Sequence, residues 1–148
     1  MKTHLVIHHS LTADSGSVSW QAIRRYHMET NGWRAIGYHL GVEMISGVTS
    51  RYELLAGRPL TWSAAAAKEQ RMNSRGIHVC FVGNYDEKQP PAEMLAFALP
   101  HLAAICDLAG IQVDRRHVIG HREVAPYKSC PGKLFDMDEF VRLLQGQM

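Results

Sequence analysis

Two short stretches of the sequence carry side chains that could bind a metal ion. The segment HREVAPYKSCPG, residues 121–132, contains His121 and Cys130, and the N-terminal segment HLVIHH ends in His8 and His9. Zinc accepts imidazole and thiolate ligands, and a catalytic zinc site needs three protein ligands plus one open position for water. We therefore predict that His8, His121 and Cys130 could form such a site, although residues 121–132 also fit a proline-rich exit from a strand.

The two adjacent histidines are alternatives for one ligand position. Neighbouring residues on a strand point to opposite faces of the sheet, so at most one of His8 and His9 enters a given site. The other packs or makes a hydrogen bond behind the ligands, and their positions alone do not choose between them. His27 and His39 are predicted to be hydrogen-bonded histidines on a helix and a strand. The remaining histidines show no pattern that indicates a partner: His4, His78, His101 and His117.

The cysteines differ in their surroundings. The chain has three of them, and an odd number without regular spacing argues against a disulfide scaffold. Cys80 and Cys106 lie in apolar segments and are predicted to be buried small hydrophobic residues. Cys130 lies between Ser129 and Pro131 in a polar loop, where a metal ligand and a buried thiol are equally compatible with the sequence.

Several segments have the composition or alternation of β-strands. The first is short, apolar and β-branched, the second alternates Tyr38, Leu40, Val42 and Met44 against its other face, and the third suits a hairpin partner of the second. The predicted strands are residues 4–8, 36–45, 51–55, 77–83 and 117–120.

Three segments have helical signals. One begins at Ser17 or Ser19 as N-cap and stops at Asn31 and Gly32. A longer one runs from Pro90 and Pro91 through Leu108 to a C-cap at Gly110, with a kink expected at Pro100. The last, residues 133–145, places four side chains inward: Leu134, Met137, Val141 and Leu144. Residues 60–76 lack clear periodicity and are predicted to be a local helical or loop excursion.

This alternation of strands and helices predicts an α/β fold. We expect a single domain, residues 1–148, with a central mixed β-sheet flanked by helices on both faces. Because ligand sites in such sheets lie beyond strand ends, His8 and His121 could converge. The composition, 46% hydrophobic and 20% charged, excludes a mainly disordered chain.

Charge and the N-terminus bear on partners and location. A formal net charge of +2 is too small to indicate a nucleic-acid partner. The N-terminal segment MKTHLVIHHS has neither the length nor the composition of a signal peptide or a membrane span. We therefore expect synthesis in a cytoplasm, no membrane partner, and release by some other route if the protein acts outside the cell.

Five segments, in this order, resemble those of type 2 N-acetylmuramoyl-L-alanine amidases. They are VIHHS, NGWRAIGYHL, AGRPL, GIHVCFVGNYD and VIGHREVAPYKSCPG, and the resemblance extends from about residue 4 to about residue 145. This zinc family includes small phage lysozyme-type endolysins and peptidoglycan recognition proteins. The resemblance implies His8, His121 and Cys130 as zinc ligands. It also implies Tyr38 and Lys128 as catalytic residues beside the metal.

The sequence departs from the family pattern at two places. The step from His121 to Cys130 is one residue longer than usual, with Tyr127 as the apparent insertion, and this affects the direction of Lys128. Many relatives also carry a histidine before the Gly-Ile-x-Val strand. Residues 62–73 contain none, and we expect Lys68 or Ser63 to replace it if its contact is kept.

The resemblance implies hydrolysis of the amide that joins N-acetylmuramic acid to L-alanine in peptidoglycan. Zinc would polarise the carbonyl and lower the pKa of bound water to about 7. Tyr38 and Lys128 would assist the attacking water and stabilise the oxyanion, and the sequence does not assign these two roles between them. For Glu123 we expect a salt bridge or a hydrogen bond to a ligand imidazole rather than a general-base role. We predict a monomeric phage or prophage endolysin. The alternatives are a non-catalytic muropeptide-binding module and a cytoplasmic muropeptide-recycling amidase.

Overall fold

The chain folds around one five-stranded mixed sheet. The structure, a computed structural model, describes residues 1–12, 19–45 and 51–148. The strand order is β3-β2-β4-β1-β5. The strands are β1 (His4–His9), β2 (Leu40–Met44), β3 (Tyr52–Ala56), β4 (Gly76–Phe81) and β5 (Val118–Gly120).

The pairing of the strands follows from their composition. β1 lies between β4 and β5 and pairs in parallel with both, and β2 also runs parallel to β4. A parallel strand in the centre of a sheet is covered on both faces and is therefore apolar along its length, as the run from Leu5 to Ile7 is. β2 and β3 form the predicted antiparallel hairpin. These pairings confirm the predicted mixed sheet.

The helices pack on both faces, as predicted. They are α1 (Ser19–Arg25), which continues as a π-helical turn (Tyr26–Thr30), α2 (Met72–Arg75), α3 (Ala92–Ala109) and α4 (Met137–Gln145). Short 3-10 turns cover Glu69–Arg71 and His121–Glu123.

The termini of two helices match the sequence signals. Asn31 ends the π-helical turn, and Gly110 adopts a left-handed conformation at the C-terminus of α3. α3 runs without interruption through Pro100, so the kink there stays a prediction. For α1, Ser17 lies outside the described residues, and Ser19 is part of the helix rather than its N-cap.

The prediction for the last helix was wrong at its N-terminus. α4 begins at Met137, not at residue 133, because the Asp136 side chain caps it by accepting a hydrogen bond from the amide of Glu139 at 3.0 Å. Upstream, the amide of Leu134 donates to the carbonyl of Tyr85 at 2.8 Å instead of entering a helix. Leu134 is consequently 43% exposed rather than inward-facing.

The two faces of the sheet are built differently. α3 and α4 cover one face with a single large apolar cluster that includes Leu5, Ile7 and Leu102. α1 and α2 lie on the other face, where Val6 packs on Met72. α3 has the length and apolar composition of a membrane-spanning helix, but it buries one side against the sheet, as a core helix does.

Close packing of α1 on the second face depends on a glycine in β2. A Cβ atom at Gly41 would lie 2.2 Å from the ring of Trp20, so only glycine lets the indole reach the sheet. The amide of Trp20 also donates to the buried carboxylate of Glu43 at 2.8 Å. These two contacts of Trp20 fix α1 against β2.

Candidate metal centre and its cleft

Three side chains that could hold a metal ion meet at the carboxyl end of β1. The ligand atoms of His8, His121 and Cys130 all lie within 4.8 Å of one another. His8 comes from β1, His121 follows directly after β5, and Cys130 returns from the loop behind it. Since β1 and β5 are parallel neighbours, their carboxyl ends lie at one edge of the sheet, and residues 113 positions apart in the sequence become adjacent.

One distance within this cluster matches the ligand separation of a tetrahedral zinc site. Cys130 Sγ lies 3.6 Å from His8 Nδ1. A tetrahedral ion bonded to one imidazole nitrogen and one thiolate sulfur separates these atoms by roughly 3.6 Å, given its usual bond lengths. Two imidazoles and a thiolate are also a ligand set that zinc prefers. The residues present therefore fit this ion.

His9 points to the opposite face of the sheet. Its Nδ1 accepts a hydrogen bond from the amide of Tyr85 at 3.2 Å, and its ring lies 6.2 Å from that of Tyr85. The structure thus brings His8, not His9, together with His121 and Cys130, which is the choice that the resemblance implied, and the strand alternation keeps the two imidazoles on opposite faces.

Arg122 closes the loop that delivers Cys130. Its amide donates to the carbonyl of Cys130 at 2.7 Å, and its guanidinium donates to the carbonyls of Gly132 and Phe135 at 2.5 and 2.8 Å. Gly132 has φ +124°, and a Cβ atom there would lie 2.4 Å from the Tyr85 backbone. The loop shape therefore depends on an arginine and a glycine as well as on the prolines. No sequence pattern indicated this role of Arg122.

Tyr38 and Lys128 line the same cleft as the three metal-binding side chains. The cleft has a volume of about 280 Å³, and its walls include Trp33, Ala65 and Ala66. The ring of Tyr38 lies 5.3 Å from that of His8. Burial raises the pKa of Tyr38 well above its usual value, and the nearby thiols of Cys80 and Cys130 add to the increase. A phenol in this environment keeps its proton and acts as a hydrogen-bond donor.

The protonation of the metal-binding cluster follows from burial. Burial lowers the pKa of His8 well below its usual value, the neighbouring imidazoles adding to the effect, and it also lowers that of His121. Both rings are consequently neutral, the form that binds metals. Burial raises the pKa of the Cys130 thiol to about 12. This thiol is protonated in the metal-free protein and must release its proton when a metal binds.

His78, for which no sequence pattern indicated a partner, lies directly behind the cluster. Its Nδ1 lies 2.8 Å from His8 Nε2, and its Nε2 lies 2.8 Å from the carbonyl oxygen of Met72. It is fully buried, and burial lowers its pKa to about 3. The alternation of residues along β4 could have predicted this position, because it places His78 and Cys80 on the face of the sheet that carries His8.

Two other histidines have the structural roles that were predicted. His39 Nδ1 accepts a hydrogen bond from the amide of His78 at 2.9 Å, and His27 Nδ1 accepts one from the amide of Gly37 at 2.9 Å. Each imidazole stands in for a backbone acceptor, His39 next to a strand and His27 next to a loop. Cys80 and Cys106 are fully buried, as predicted.

The acidic residues near the site separate into two groups. Glu123 binds Arg115 at 2.7 Å and accepts a hydrogen bond from the amide of Gly120 at 2.6 Å, so the predicted salt bridge is confirmed. Glu69 was not anticipated. One of its oxygens accepts a hydrogen bond from the hydroxyl of Tyr127, and the other lies 3.9 Å from His121 Nε2. The apparent insertion at Tyr127 thus contacts the segment that lacks the family histidine.

Neither predicted substitute for that histidine approaches His121 as Glu69 does. Lys68 lines an adjoining part of the cleft with Asn73. The carbonyl oxygen of Ser63 accepts a hydrogen bond from the guanidinium of Arg58 at 2.9 Å. Replacement of the missing side chain by Lys68 or Ser63 stays a prediction.

Comparison with known proteins identifies the family. The family model described as N-acetylmuramoyl-L-alanine amidase matches residues 2–133. The chain is 33% identical over 125 residues to an N-acetylmuramoyl-L-alanine amidase of Sus scrofa, covering 82% of this chain and 19% of the relative. It is 30% identical over 135 residues to peptidoglycan-recognition protein SC2 of Drosophila melanogaster, covering 88% and 68%.

Solved structures agree with these relationships. The N-acetylmuramoyl-L-alanine amidase LysC of Clostridium intestinale superposes with a TM-score of 0.77 at 20% identity, over 97% of this chain and 85% of that one, and shows the shared fold. Drosophila PGRP-LB superposes with a TM-score of 0.72 at 26% identity, over 90% and 77%. The chain spans about a fifth of the length of the mammalian amidases that it matches. By sequence and by fold, the chain belongs to the N-acetylmuramoyl-L-alanine amidase family.

Proposed function

We propose that this protein hydrolyses the amide bond between N-acetylmuramic acid and L-alanine in peptidoglycan, with zinc as its cofactor. The observation that carries the proposal is the convergence of His8, His121 and Cys130 at the floor of an open cleft. Membership of the amidase family supports the identity of the bond that we propose is cleaved. A closed structural zinc site would need a fourth protein ligand, and no further His, Cys, Asp or Glu joins this cluster among the described residues.

The residues of the cleft have complementary tasks. Zinc, when bound, would polarise the amide carbonyl and supply a water of lowered pKa. Tyr38 would donate a hydrogen bond from its protonated phenol towards the reacting carbonyl. Lys128 would place a positive charge beside the oxygen on which negative charge develops.

Two neutral imidazoles and one thiolate also leave a net positive charge on a zinc site, which favours the developing oxyanion further. The indole of Trp33 forms an apolar wall of the cleft. Such a surface suits a sugar ring or an alanine side chain. The cleft would therefore combine a positively charged metal site with an apolar wall at Trp33 that can orient the substrate.

The proposal is tested by digesting purified peptidoglycan with the zinc-loaded protein and analysing the products by mass spectrometry. We expect free stem peptides with an L-alanine N-terminus and glycan strands of unchanged length. Shortened glycan strands would indicate a glycosidase and refute the amidase proposal. Binding of peptidoglycan without any product, by a protein that contains zinc, would favour the recognition module, the alternative kept open by the relatives named recognition proteins.

We further propose that the protein is a monomeric phage or prophage endolysin, made in the host cytoplasm and acting on the wall after release. The support is the lysine two residues before Cys130, which the phage enzymes resembling this segment also carry. Activity on intact sacculi, together with little activity on soluble muropeptides, would distinguish this role from muropeptide recycling. Gel filtration with light scattering tests the monomer.

A further inference from the structure

A chain of two hydrogen bonds connects the backbone to the ring of His8. The carbonyl oxygen of Met72 lies 2.8 Å from His78 Nε2, and His78 Nδ1 lies 2.8 Å from His8 Nε2. Both rings are shielded from solvent, with His78 at 0% and His8 at 1% exposure. Water therefore does not compete for these contacts.

The direction of the chain is set at its carbonyl end. A carbonyl oxygen only accepts hydrogen bonds, so the proton of the His78 ring lies on Nε2. A neutral imidazole has one such proton, and His78 Nδ1 is therefore an acceptor. The proton between the two rings then belongs to His8 Nε2. His8 Nδ1 keeps its lone pair, and this nitrogen is the one that lies 3.6 Å from Cys130 Sγ.

His78 is itself held in place on its backbone side. Its amide donates to His39 Nδ1 at 2.9 Å, and His39 Nε2 lies 2.9 Å from the carbonyl oxygen of Trp62. The same reasoning assigns the His39 proton to Nε2, since Nδ1 accepts from an amide. The ring of His78 also stacks on that of His8, with centroids 5.1 Å apart. Rotation of His78 would break contacts on both sides.

We infer that His78 is a positioning residue that holds His8 in the tautomer whose Nδ1 is free to bind the metal. Metal-binding histidines usually donate their second N–H to a carboxylate, a carbonyl or water. Here a second imidazole takes that place and passes the bond on to the Met72 carbonyl. Without an acceptor at this point, the buried N–H of His8 would lose its partner, and the ring could turn either nitrogen towards the metal. The inference rests on the proposed zinc site.

Two variants of His78 separate positioning from simple packing. In His78→Leu an apolar side chain replaces the imidazole and the acceptor is lost, and we expect zinc affinity, measured by chelator competition, to fall about 10- to 100-fold. In His78→Asn the amide oxygen stands where Nδ1 was, and most of the affinity should return. His117→Leu, which removes a histidine paired with Asp114 away from the cleft, should bind zinc as the wild type does.

A second measurement needs no variant and no metal. Long-range ¹H–¹⁵N spectra of the metal-free wild-type protein report the tautomer of each ring, and we expect His8 to be protonated on Nε2. Protonation on Nδ1 would overturn the inference, as would wild-type zinc affinity in His78→Leu or equal losses in the Leu and Asn variants. A wild-type protein that binds no zinc would instead refute the proposed metal site.

Discussion

The two faces of the sheet use the same strands for different purposes. Towards α3 and α4, β1 and β4 present Leu5, Ile7 and Phe81, which belong to one continuous apolar cluster. Towards α1 and α2 the same strands present His8 and His78, both buried and both hydrogen-bonded. One face therefore carries most of the apolar core, and the other holds polar groups in defined positions.

This difference shows how a small domain can hold a costly polar cluster. Burying imidazoles without partners would be unfavourable, but each buried side-chain nitrogen and oxygen among the described residues has a partner. The apolar face supplies the stability against which the polar face is ordered. Variants on one face should consequently change metal binding and activity, and variants on the other should change the free energy of unfolding.

The largest effect is expected from replacing Cys130, the proposed sulfur ligand on the polar face. Cys130→Ser should lose zinc and reduce the rate of peptidoglycan hydrolysis by at least about 1,000-fold, because a serine hydroxyl is a poor zinc ligand. Elemental analysis and a dye-release assay measure the two quantities. The matched control is Cys106→Ala, which alters a buried cysteine of α3 on the other face and should keep both. Parent-rate hydrolysis by Cys130→Ser would remove Cys130 from the site.

The converse variant breaks the apolar face. Leu102 is a fully buried residue of α3, and Leu102→Ala should lower the free energy of unfolding by about 3 kcal/mol because it leaves a cavity. Urea denaturation measures this loss. Zinc stoichiometry and hydrolysis by the folded fraction should stay unchanged. Loss of zinc without loss of stability would contradict the division of tasks between the faces.

A smaller effect is expected from one hydroxyl in the cleft. Tyr38→Phe should retain zinc and the fold but lower kcat about 10- to 100-fold, since one hydrogen bond to the transition state is lost. Steady-state kinetics on a soluble muropeptide separate kcat from KM. An unchanged kcat would exclude Tyr38 from the mechanism.

The smallest effect concerns pH and tests the polar face without metal. Burial lowers the pKa of His39 to about 4 despite the Trp62 carbonyl, and Lys2 and Arg58 lower it further. The unfolded chain binds this proton more tightly, so stability is present above pH 6.5 and is lost as pH falls towards 4. The slope from one such group approaches about 1.4 kcal/mol per pH unit.

Urea denaturation of the metal-free protein between pH 7 and pH 5 measures this dependence. His39→Gln should reduce the slope, whereas His101→Gln, on the exposed side of α3, should leave it as in the wild type. Equal slopes in the wild type and His39→Gln would show that other groups are responsible.

Much of the fold could be predicted because its signals are local. The apolar run at 5–7, the hairpin of β2 and β3, and the caps of α3 each lie within a few residues. The start of α4 could not be predicted in this way. It depends on the bond between the amide of Leu134 and the carbonyl of Tyr85, a contact between distant segments that periodicity does not record.

The sequence by itself determined the α/β class, the candidate site residues His8, His121, Cys130, Tyr38 and Lys128, and the family resemblance. The α/β class depends on residue types and on periodicities of two and 3.6 residues, whereas Tyr38, Lys128 and the choice of His8 over His9 are implied by the resemblance. Only the tertiary structure decided which other side chains contact these site residues and hold them in place. His78 reaches His8, Arg122 holds the loop of Cys130, and Glu69 approaches His121, because parallel strands and their loops bring together segments that are distant in the sequence.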